Sequence, residues 1–464
     1  MNNEKIIMIV IGLFLLSTGI VFGQEIVTDK GSLFGADEST EIVSEEEDLF
    51  GSADDMFSDN SELIEEVADD LMEDLSTILL NSDDQVEIGG DFFFNTTSKW
   101  SGIDMADIAG SSVVSSLSLD LGATVFLDAR PDEDSRVFAK AVITSPFYTT
   151  PNTSKLIQDG RGFEDIITIT ELFADFNWNN QLFFRAGKQT VNWGVGYFFS
   201  PADLLSLSRI DPENPDADLD GPVALKINYP SKLNNYYLYA VVPEEVDSFA
   251  DLALAPMAEF VIGNSEISLG AYYQYDNAPT AMAAITTAIG DVSFYGESYL
   301  SYGSDKTFVN SDGATTINYN DTLFFKGTIG ATYSWSDDLS NYNLSFSGQY
   351  YFNGEGYEDQ DLLKTSGVAL LLPSDLIETG RHYGAAKVSW REMWGGNFSL
   401  SLYYIENFSS FSGMITPSLS WSGLDDIDIS LSASGMFGDA GEEYSPSGST
   451  AAVSLGVSIG GTSF

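Results

Sequence analysis

The side chain of this sequence best suited to acid–base chemistry is its single histidine, His382. Histidine is the residue that hydrolytic sites use most often as a general base. His382 stands between Arg381 and Tyr383 at the end of a predicted strand, where a lone histidine is usually incidental. We therefore predict no catalytic residue, no enzymatic activity, no metal site and no cofactor.

Charged side chains recur on one face of the segments in which apolar and polar residues alternate. A charge that faces lipid costs about 2–4 kcal/mol near the middle of a bilayer, so these side chains should point into a water-filled interior. Two interpretations stay open. The charges could set up a transverse electric field across a passage for solutes, or they could only solvate the water-filled interior, the lumen. The residues sorted to this face are Arg136, Lys140, Glu171, Asp175, Arg185, Lys226, Glu259, Glu297, Lys326, Arg381, Lys387 and Arg391.

Residues 192–205, NWGVGYFFSPADLL, combine glycines with aromatic side chains and are too apolar for a loop that extends into water. They follow a predicted strand and open the longest predicted connection, 192–221. We predict that this connection folds into the lumen as a constriction, with a tight backbone that could include positive φ at its glycines. The alternative is a rim that only caps the strands. The predicted constriction residues are Trp193, Gly194, Gly196, Tyr197, Phe198, Phe199, Pro201 and Asp203.

The same region carries a family resemblance. Residues 185–205 read RAGKQTVNWGVGYFFSPADLL and match the pattern R-x-G-x-Q-x-x-x-W-G-x-x-x-x-x-x-P-x-D-L. This pattern resembles that of a large group of bacterial outer-membrane, porin-like β-barrels. The resemblance implies porin-like architecture, and it implies no substrate and no catalytic residue. The matching positions are Arg185, Gly187, Gln189, Trp193, Gly194, Pro201, Asp203 and Leu204.

The composition favours a membrane β-barrel over other classes of protein. A formal net charge of −51 argues against nucleic acid as a partner, because binding it requires basic residues that neutralise phosphates. The absence of cysteine excludes disulfides, thiolate metal sites and a lipid-modified N-terminal cysteine. A mean hydropathy of −0.01 is too apolar for acidic disorder and too polar for a bundle of membrane helices. Strands that present only alternate residues to lipid give such an intermediate value.

Three segments precede the predicted barrel. Residues 1–23 contain an apolar run and predict a cleaved signal peptide, with an uncleaved anchor helix as the alternative. Residues 24–60 predict an acidic disordered segment, since 25–84 hold 21 acidic residues and one basic residue. Residues 61–82 predict a periplasmic amphipathic helix from a stripe at helical spacing. The stripe is Ile64, Val67, Leu71, Leu75 and Ile78.

From residue 85 to 464 the hydrophobic period changes to two, as in strands with one face toward lipid. In 321–335, DTLFFKGTIGATYSW, Leu323, Phe325 and Ile329 fall on one face and polar residues fall on the other. Most of the segments are long enough to cross a bilayer at a tilt. The predicted strands are 86–95, 112–127, 136–146, 165–178, 181–191, 222–230, 235–243, 257–262, 266–275, 281–289, 291–302, 321–335, 341–353, 380–391, 397–408, 413–421, 427–437 and 450–464.

The predicted fold class is all-β: a transmembrane antiparallel up-and-down β-barrel of about 18 strands, or 16 if 281–289 is loop. Connections after even strands are short and most of those after odd strands are long, which predicts both termini in the periplasm. The terminal Phe464 resembles the assembly signal of outer-membrane barrels, although it is out of phase with Val457 and Ile459. A bulge at Gly460-Gly461 would restore the register.

We therefore expect a porin-like channel in the outer membrane of a diderm bacterium, for passive diffusion of small hydrophilic solutes. A dedicated substrate transporter and a surface-exposed adhesin are the alternatives. The expected partners are outer-membrane lipid, the barrel-assembly machinery and small solutes. A homo-oligomer and a periplasmic partner for residues 24–80 stay open.

Overall fold

The structure is a computed structural model, and it describes residues 86–103, 114–150, 153–155, 167–208, 210, 219–243, 248–337, 342–366, 378–393, 396–424, 427–446 and 448–463. The predicted signal peptide, acidic segment and amphipathic helix lie outside the described residues, as does Phe464.

Eighteen long strands follow one another along the described chain, and they are numbered β1–β18 in chain order. Their number agrees with the prediction, and the weakest predicted segment, 281–289, is a strand. The strands are β1 (Val86–Ile103), β2 (Val114–Asp132), β3 (Ser135–Thr150), β4 (Ile167–Trp178), β5 (Leu182–Lys188), β6 (Val223–Ser231), β7 (Asn234–Val242), β8 (Ala253–Ile262), β9 (Ser265–Tyr272), β10 (Thr280–Ile289), β11 (Val292–Tyr302), β12 (Leu323–Asp337), β13 (Tyr342–Asn353), β14 (His382–Arg391), β15 (Phe398–Asn407), β16 (Ser412–Leu424), β17 (Ile427–Phe437) and β18 (Ser449–Ser463).

Each strand pairs antiparallel with the next, and β18 pairs with β1, so the sheet closes into an up-and-down barrel. Closure leaves no exposed strand edge. Thr153–Lys155 adds a short strand to β3, and Thr307–Val309 pairs with Thr316–Asn318 in one connection. Within the described residues the helical segments are Phe249–Asp251 and Asp361–Thr365. No helix in the described ranges is long and apolar enough to cross a membrane.

The outer face of the barrel is apolar. On β12 the side chains of Leu323 and Ile329 are 61% and 67% exposed, whereas Lys326 and Thr328, in the opposite phase, are 9% and 2% exposed. The predicted alternation is confirmed, and so is the predicted assignment of faces: apolar residues face outward and polar residues face the interior. This is the arrangement of a barrel whose solvent outside is lipid.

A charge placed on this outer face should destabilise the folded barrel. Ile329 lies at the middle of β12, so Ile329→Lys should lower the free energy of unfolding in vesicles by about 2–4 kcal/mol. Urea titration followed by tryptophan fluorescence measures this change. Ser420→Lys, in the lumen-facing phase at the middle of β16, is the control and should change stability little. Equal losses in the two variants would contradict the assignment of faces.

Short turns join the strands at one end of the barrel, the short-turn end, and most connections at the other end, the long-loop end, are longer; residues 408–411 are a short exception there. Between β4 and β5 the turn contains Asn179 and Asn180 at φ 54° and 51°. Two successive residues with positive φ form the type I′ turn that suits the twist of a tight hairpin. The alternation of short and long connections agrees with the sequence prediction.

The last strand contains the predicted bulge. Asp91 pairs with Gly460, but Gly90 pairs with Thr462, so the register shifts by one residue between them. Gly460 has φ +109°, a backbone conformation that favours glycine. The structure therefore has a bulge at the predicted position.

Candidate functional site

The described part of the connection between β5 and β6, residues 189–208, 210 and 219–222, is termed the inward loop, and residues of the motif hold its base in place. Gly187 has φ +132°, and a Cβ there would lie 2.1 Å from a backbone oxygen of β4. Gln189, 1% exposed, donates its side-chain N–H to the carbonyl of Ala224 (3.0 Å). Its backbone N–H donates to the carbonyl of Pro222 (3.1 Å). These bonds join the start of the loop to its end.

The first part of the inward loop packs against the inner wall of β6–β10. Trp193, Ala202 and Leu205 are buried in one apolar cluster, and the Trp193 ring meets the ring of Tyr239 edge-on with centroids 5.6 Å apart. Several wall residues are alanine, which leaves room for the loop. Burial of each large apolar side chain contributes about 1.5–3 kcal/mol. The wall residues are Ala224, Tyr239, Val241, Ala253, Ala255, Met257, Met282 and Ala284.

A buried carboxylate on β11 holds the middle of the inward loop. Glu297 is 5% exposed and lies in the inward phase of its strand. Its Oε1 accepts hydrogen bonds from the backbone N–H groups of Val195 and Gly196, and its Oε2 accepts one from Ala202 at 3.0 Å. The Ser200 hydroxyl lies 3.3 Å from both carboxylate oxygens. Because hydrogen bonds to a charged group are stronger than those between neutral groups, Glu297 is the main polar contact that holds the loop against the wall.

The glycines of the loop are required for space. The prediction of positive φ at Gly194 and Gly196 is wrong, because the residues with positive φ do not include them. A Cβ on Gly194 would lie 1.6 Å from the Ser200 hydroxyl oxygen, and one on Gly196 would lie 2.0 Å from the carbonyl oxygen of Phe199. Only a residue without a side chain allows the loop to fold this tightly around the Glu297 carboxylate.

The tip of the inward loop contacts the wall formed by β13–β15. Gln349 of β13 accepts a hydrogen bond from the Phe198 N–H (2.8 Å) and donates one to the Phe199 carbonyl (2.6 Å). The Tyr197 hydroxyl lies 3.3 Å from that of Tyr403 on β15 and accepts a hydrogen bond from Lys387 of β14 at 2.6 Å. The second buried cluster forms here, and it contains Phe198, Phe199, Tyr351, Tyr383, Ala385, Ile405, Met414 and Tyr444.

These contacts define the path of the loop. It leaves β5, packs on β6–β10, bonds to β11, and its tip contacts β13–β15, which lie on the far side of an 18-strand barrel. The structure brings together all eight predicted constriction residues in this segment, and Pro201 lines a cavity of about 300 Å³ on its long-loop side. The same cavity is lined by Tyr272, Tyr299, Lys326, Tyr351 and Glu378.

Asp203 of the inward loop titrates in an unusual range. Burial raises its pKa from 3.8 to about 7; the hydrogen bond from the backbone N–H of Trp193 opposes the shift, and the nearby Glu297 carboxylate adds to it. Below about pH 4 this carboxyl is protonated whether the loop is docked or released. Between about pH 4 and 7 only the docked loop keeps the proton. The free energy of docking therefore becomes less favourable as pH rises, and this change is complete above about pH 7.

We therefore expect the mean current through a bilayer containing the protein to be larger or noisier at pH 8 than at pH 5. Asp203→Asn, which keeps the oxygen that accepts from Trp193, should remove most of this dependence. Planar-bilayer recordings at constant salt measure both. An identical pH profile in the two proteins would show that Asp203 does not control docking.

The predicted charged residues of β3–β6 form one row across the wall. Arg136 pairs in register with Asp175, Asp175 with Arg185, and Arg185 with Lys226. Arg185 donates two hydrogen bonds to Asp175 (2.7 and 3.0 Å), and Arg136 donates two to Asp128 (2.9 and 3.0 Å). Opposite charges are thus neutralised between neighbouring strands.

The remaining predicted charges are spread over the barrel. Lys326 forms an ion pair with Glu355 (2.7 Å), and Arg381 pairs with Glu358 at the long-loop end. Because these bases have local acidic partners, they do not support a simple field across the lumen. Among the other predicted positions, Glu171 accepts from the Thr190 N–H (3.3 Å), Glu259 accepts from the Tyr237 hydroxyl (2.8 Å), Lys140 is on β3, and Arg391 ends β14.

His382 lies on the outer face of the barrel, away from the inward loop. It is exposed, and its Nδ1 is 2.7 Å from the Tyr350 hydroxyl, which is also on the outer face. The residues 456–460 have the Gly-x-Ser-x-Gly spacing of hydrolase elbows, but they lie within β18 and not on a strand-to-helix turn. His382 on β14 and the Gly-x-Ser-x-Gly segment on β18 are therefore not arranged as a hydrolytic site.

Sequence reasoning missed a second connection that folds into the mouth. In residues 438–448, the Glu443 carboxylate accepts hydrogen bonds from the Tyr383 hydroxyl (2.7 Å) and the Asn407 amide (2.8 Å). Burial raises the pKa of Glu443, the hydroxyl of Tyr383 opposes this, and the Glu378 carboxylate adds to it. Tyr444 joins the second buried cluster. A Glu-Glu-Tyr sequence in an acidic chain gives no signal of burial.

Sequence reasoning also missed a metal-like spacing. Residues 216–221, DADLDG, have the Asp-x-Asp-x-Asp-Gly spacing that begins calcium loops, without the Glu that such a loop needs at its twelfth position, here Ile227. Residues 216–218 lie outside the described ranges. Asp220 is described, and its carboxylate binds Lys188 at 2.9 Å. Within the described ranges no group of three His, Asp or Glu residues could hold a metal ion.

No known family model matches the sequence, and no curated protein matches it. Among solved structures, the chain is similar to a mutant of the Rh. blastica porin at 10% identity and a TM-score of 0.40, over 81% of this chain and 100% of that one. It is similar to OccAB3 of Acinetobacter baumannii at 8% identity and a TM-score of 0.48, over 81% and 99%. It is similar to OccK11 of Pseudomonas aeruginosa at 7% identity and a TM-score of 0.46, over 81% of this chain and 96% of that one. The class of the molecule, a transmembrane β-barrel, follows from its own strand pairing and apolar exterior.

Proposed function

We propose that this protein is an outer-membrane channel for passive diffusion of small hydrophilic solutes, with the inward loop as its constriction. The observation that carries the proposal is the path of residues 189–208, which leave β5 and reach Tyr403 on β15 through the Tyr197 hydroxyl. A loop that crosses the lumen and packs on one half of its wall narrows the passage to the other half. Such a channel selects solutes by size before it selects them by chemistry.

The wall away from the loop supports the same function. On β16–β18 most inward residues are serine or threonine, which are short and polar: Ser412, Thr416, Ser418, Ser420, Ser430, Ser432, Ser434, Thr450, Ser454 and Ser458. Short side chains keep a passage wide, and hydroxyls keep it wet. The alternatives from the sequence, a dedicated transporter and an adhesin, find no residue arrangement in the described ranges that favours them over a channel.

The orientation and partners follow from the same proposal. In bacterial barrels the short turns are periplasmic and the longer loops are external, so the N-terminal segment and the short-turn end belong in the periplasm. Insertion then requires outer-membrane lipid and the barrel-assembly machinery. A homo-oligomer and a periplasmic partner of residues 24–80 are further proposals of the same kind.

The experiment is conductance in planar bilayers combined with solute entry into liposomes. The purified protein in detergent should produce discrete, ohmic current steps in potassium chloride. Liposomes that contain it should swell in small uncharged solutes and stop swelling above a defined solute size. Folded protein that inserts but passes neither ions nor solutes would contradict the proposal.

A further inference from the structure

A row of hydroxyl side chains crosses half of the barrel wall. Each member is paired in register with the next on the neighbouring strand, from β12 through β18 to β1 and β2. The row is unbroken over nine strands. Its members, termed the hydroxyl row, are Ser334, Ser345, Ser389, Ser401, Ser418, Ser432, Ser454, Thr97 and Ser118.

The hydroxyl row faces the lumen. On β15, Leu400 and Leu402 are 37% and 39% exposed on the outer face, and Ser401 between them therefore points inward. Residues paired in register share a face of the sheet, so the other members point inward as well. The hydroxyls of Thr97 and Ser454 lie 2.8 Å apart, which is hydrogen-bond distance.

The hydroxyl row also climbs through the barrel. Ser334 lies three residues before the short-turn end of β12 (334 to 337), and Ser118 lies four residues after the long-loop end of β2 (114 to 118). The reason is strand tilt. Eight steps of about 4.8 Å along strands tilted by about 40° give an axial rise of about 25 Å, the height of the apolar band of such barrels. The row therefore runs from one mouth to the other.

The row passes the tip of the inward loop, where the proposed passage is narrowest. Lys387 and Tyr403, which hold Tyr197, pair with each other and lie two residues along their strands from Ser389 and Ser401. Tyr403 pairs in turn with Thr416 of β16. These hydroxyls therefore lie on the wall that the loop tip contacts.

Thr416 adds an independent observation at this point. It is 8% exposed, and its hydroxyl is buried with no hydrogen-bond partner among the described residues. It is in the inward phase, next to Ser418 of the hydroxyl row. A buried hydroxyl without a partner costs about 1–3 kcal/mol, so such a group usually indicates a ligand or water that completes it.

We propose, resting on the channel function above, that the hydroxyl row with Thr416 is the track of uncharged polyhydroxylated solutes, the chemistry of small sugars. A serine or threonine hydroxyl both donates and accepts, as the hydroxyls of such a solute do. Cross-strand neighbours lie about 5 Å apart, so a solute with several hydroxyls engages the next member before it leaves the last. The side chains of the row are themselves uncharged, so they offer a charged solute no ion pair.

The test replaces three members of the row with alanine, which removes only the hydroxyl oxygens. The track variant is Ser401→Ala/Ser418→Ala/Ser432→Ala. The matched control is Ser399→Ala/Ser420→Ala/Ser430→Ala, three lumen-facing serines on the same three strands, which also pair in register but whose row is interrupted at Gly456. A third variant, Thr416→Val, removes a hydroxyl that has no described partner, so it should not harm folding.

The readouts are liposome swelling in glucose, swelling in triethylene glycol (an uncharged solute of similar size with few hydroxyls) and conductance in potassium chloride. The track variant and Thr416→Val should each slow glucose entry by about fivefold, the effect of one lost net hydrogen bond. Triethylene glycol entry and conductance should stay as in the wild type, and the control variant should resemble the wild type throughout.

The failures of the two proposals are distinguishable. A wild-type protein that conducts no ions contradicts the channel itself. A conducting protein in which the glucose-to-glycol ratio is the same in all variants overturns the track and leaves the channel intact. Equal slowing of glucose by the track and control variants also overturns it, because general wetting and not the continuous row would then decide.

Discussion

Glu297→Ala should increase the single-channel conductance several-fold. The substitution leaves the N–H groups of Val195, Gly196 and Ala202 without their acceptor in a buried setting. Each unsatisfied buried donor costs about 1–3 kcal/mol, so the docked loop loses most of its advantage over a released loop. Glu297→Gln keeps one acceptor oxygen and should give an intermediate conductance with frequent transitions.

The matched control for this prediction is Glu259→Gln on β8. Glu259 is also an inward acid with hydrogen-bond partners, the Tyr237 hydroxyl and the Asn235 amide, but it has no bond to the inward loop. The conductance of the Glu259→Gln variant should stay close to the wild-type value. If Glu297→Ala and Glu259→Gln conduct alike, the carboxylate of Glu297 does not fasten the constriction.

Gly196→Ala should release the loop tip by a different route. Its Cβ would lie 2.0 Å from the backbone oxygen of Phe199 and 3.0 Å from the side-chain nitrogen of Gln349, and a backbone oxygen cannot rotate away. Gly194→Ala should be milder, because its main obstacle is the Ser200 side chain, which can rotate. Overpacking of this kind costs about 1–3 kcal/mol. Gly348→Ala, with no atom within 4 Å of its Cβ, is the control.

The absence of cysteine makes loop release directly measurable. In a Leu205→Cys background, the thiol replaces a side chain that is 3% exposed in the first buried cluster. Labelling by a water-soluble maleimide should be about tenfold faster with Gly196→Ala than with Gly348→Ala, the ratio that about 1.4 kcal/mol gives. Equal labelling rates would mean that the glycine is not needed for docking.

The strands could be predicted because each carries its own signal. In a membrane barrel every strand alternates between lipid and lumen, so a local pattern such as that of 321–335 determines its type, its face and nearly its bounds. The pairing order then follows from chain order, because consecutive antiparallel strands pair as hairpins. The phase of Phe464 predicted the bulge at Gly460 in the same local way.

The wall contacts of the inward loop could not be predicted in this manner. The composition of 192–205 showed that the loop should avoid water, but its partners Glu297 and Gln349 are 95 to 151 residues away from the groups they bond. Which inward side chain meets the loop depends on barrel size, strand tilt and loop path together. Glu297 was therefore predicted only as a pore-lining charge, and the fold of 438–448 into the mouth was missed.

The hydroxyl row lies between these two cases. Each serine is visible in the sequence, and its phase is predictable from its strand. The continuity of the row depends on the exact register of eight neighbouring pairs. A shift of two residues between β17 and β18, for example, would set Ser432 opposite Gly456 or Ala452 and break the row. Local patterns do not determine register that closely, because adjacent inward positions on one strand are often both polar.

The central claim is that the inward loop sets the width of a passage through an otherwise open barrel, and single-channel conductance after deletion of residues 194–208 tests it most directly. The deletion should produce a stable conductance several-fold above the wild-type value, while deletion of 310–315, an exposed tip of another long connection, should leave it unchanged. A folded, inserted 194–208 deletion with wild-type conductance would contradict the account.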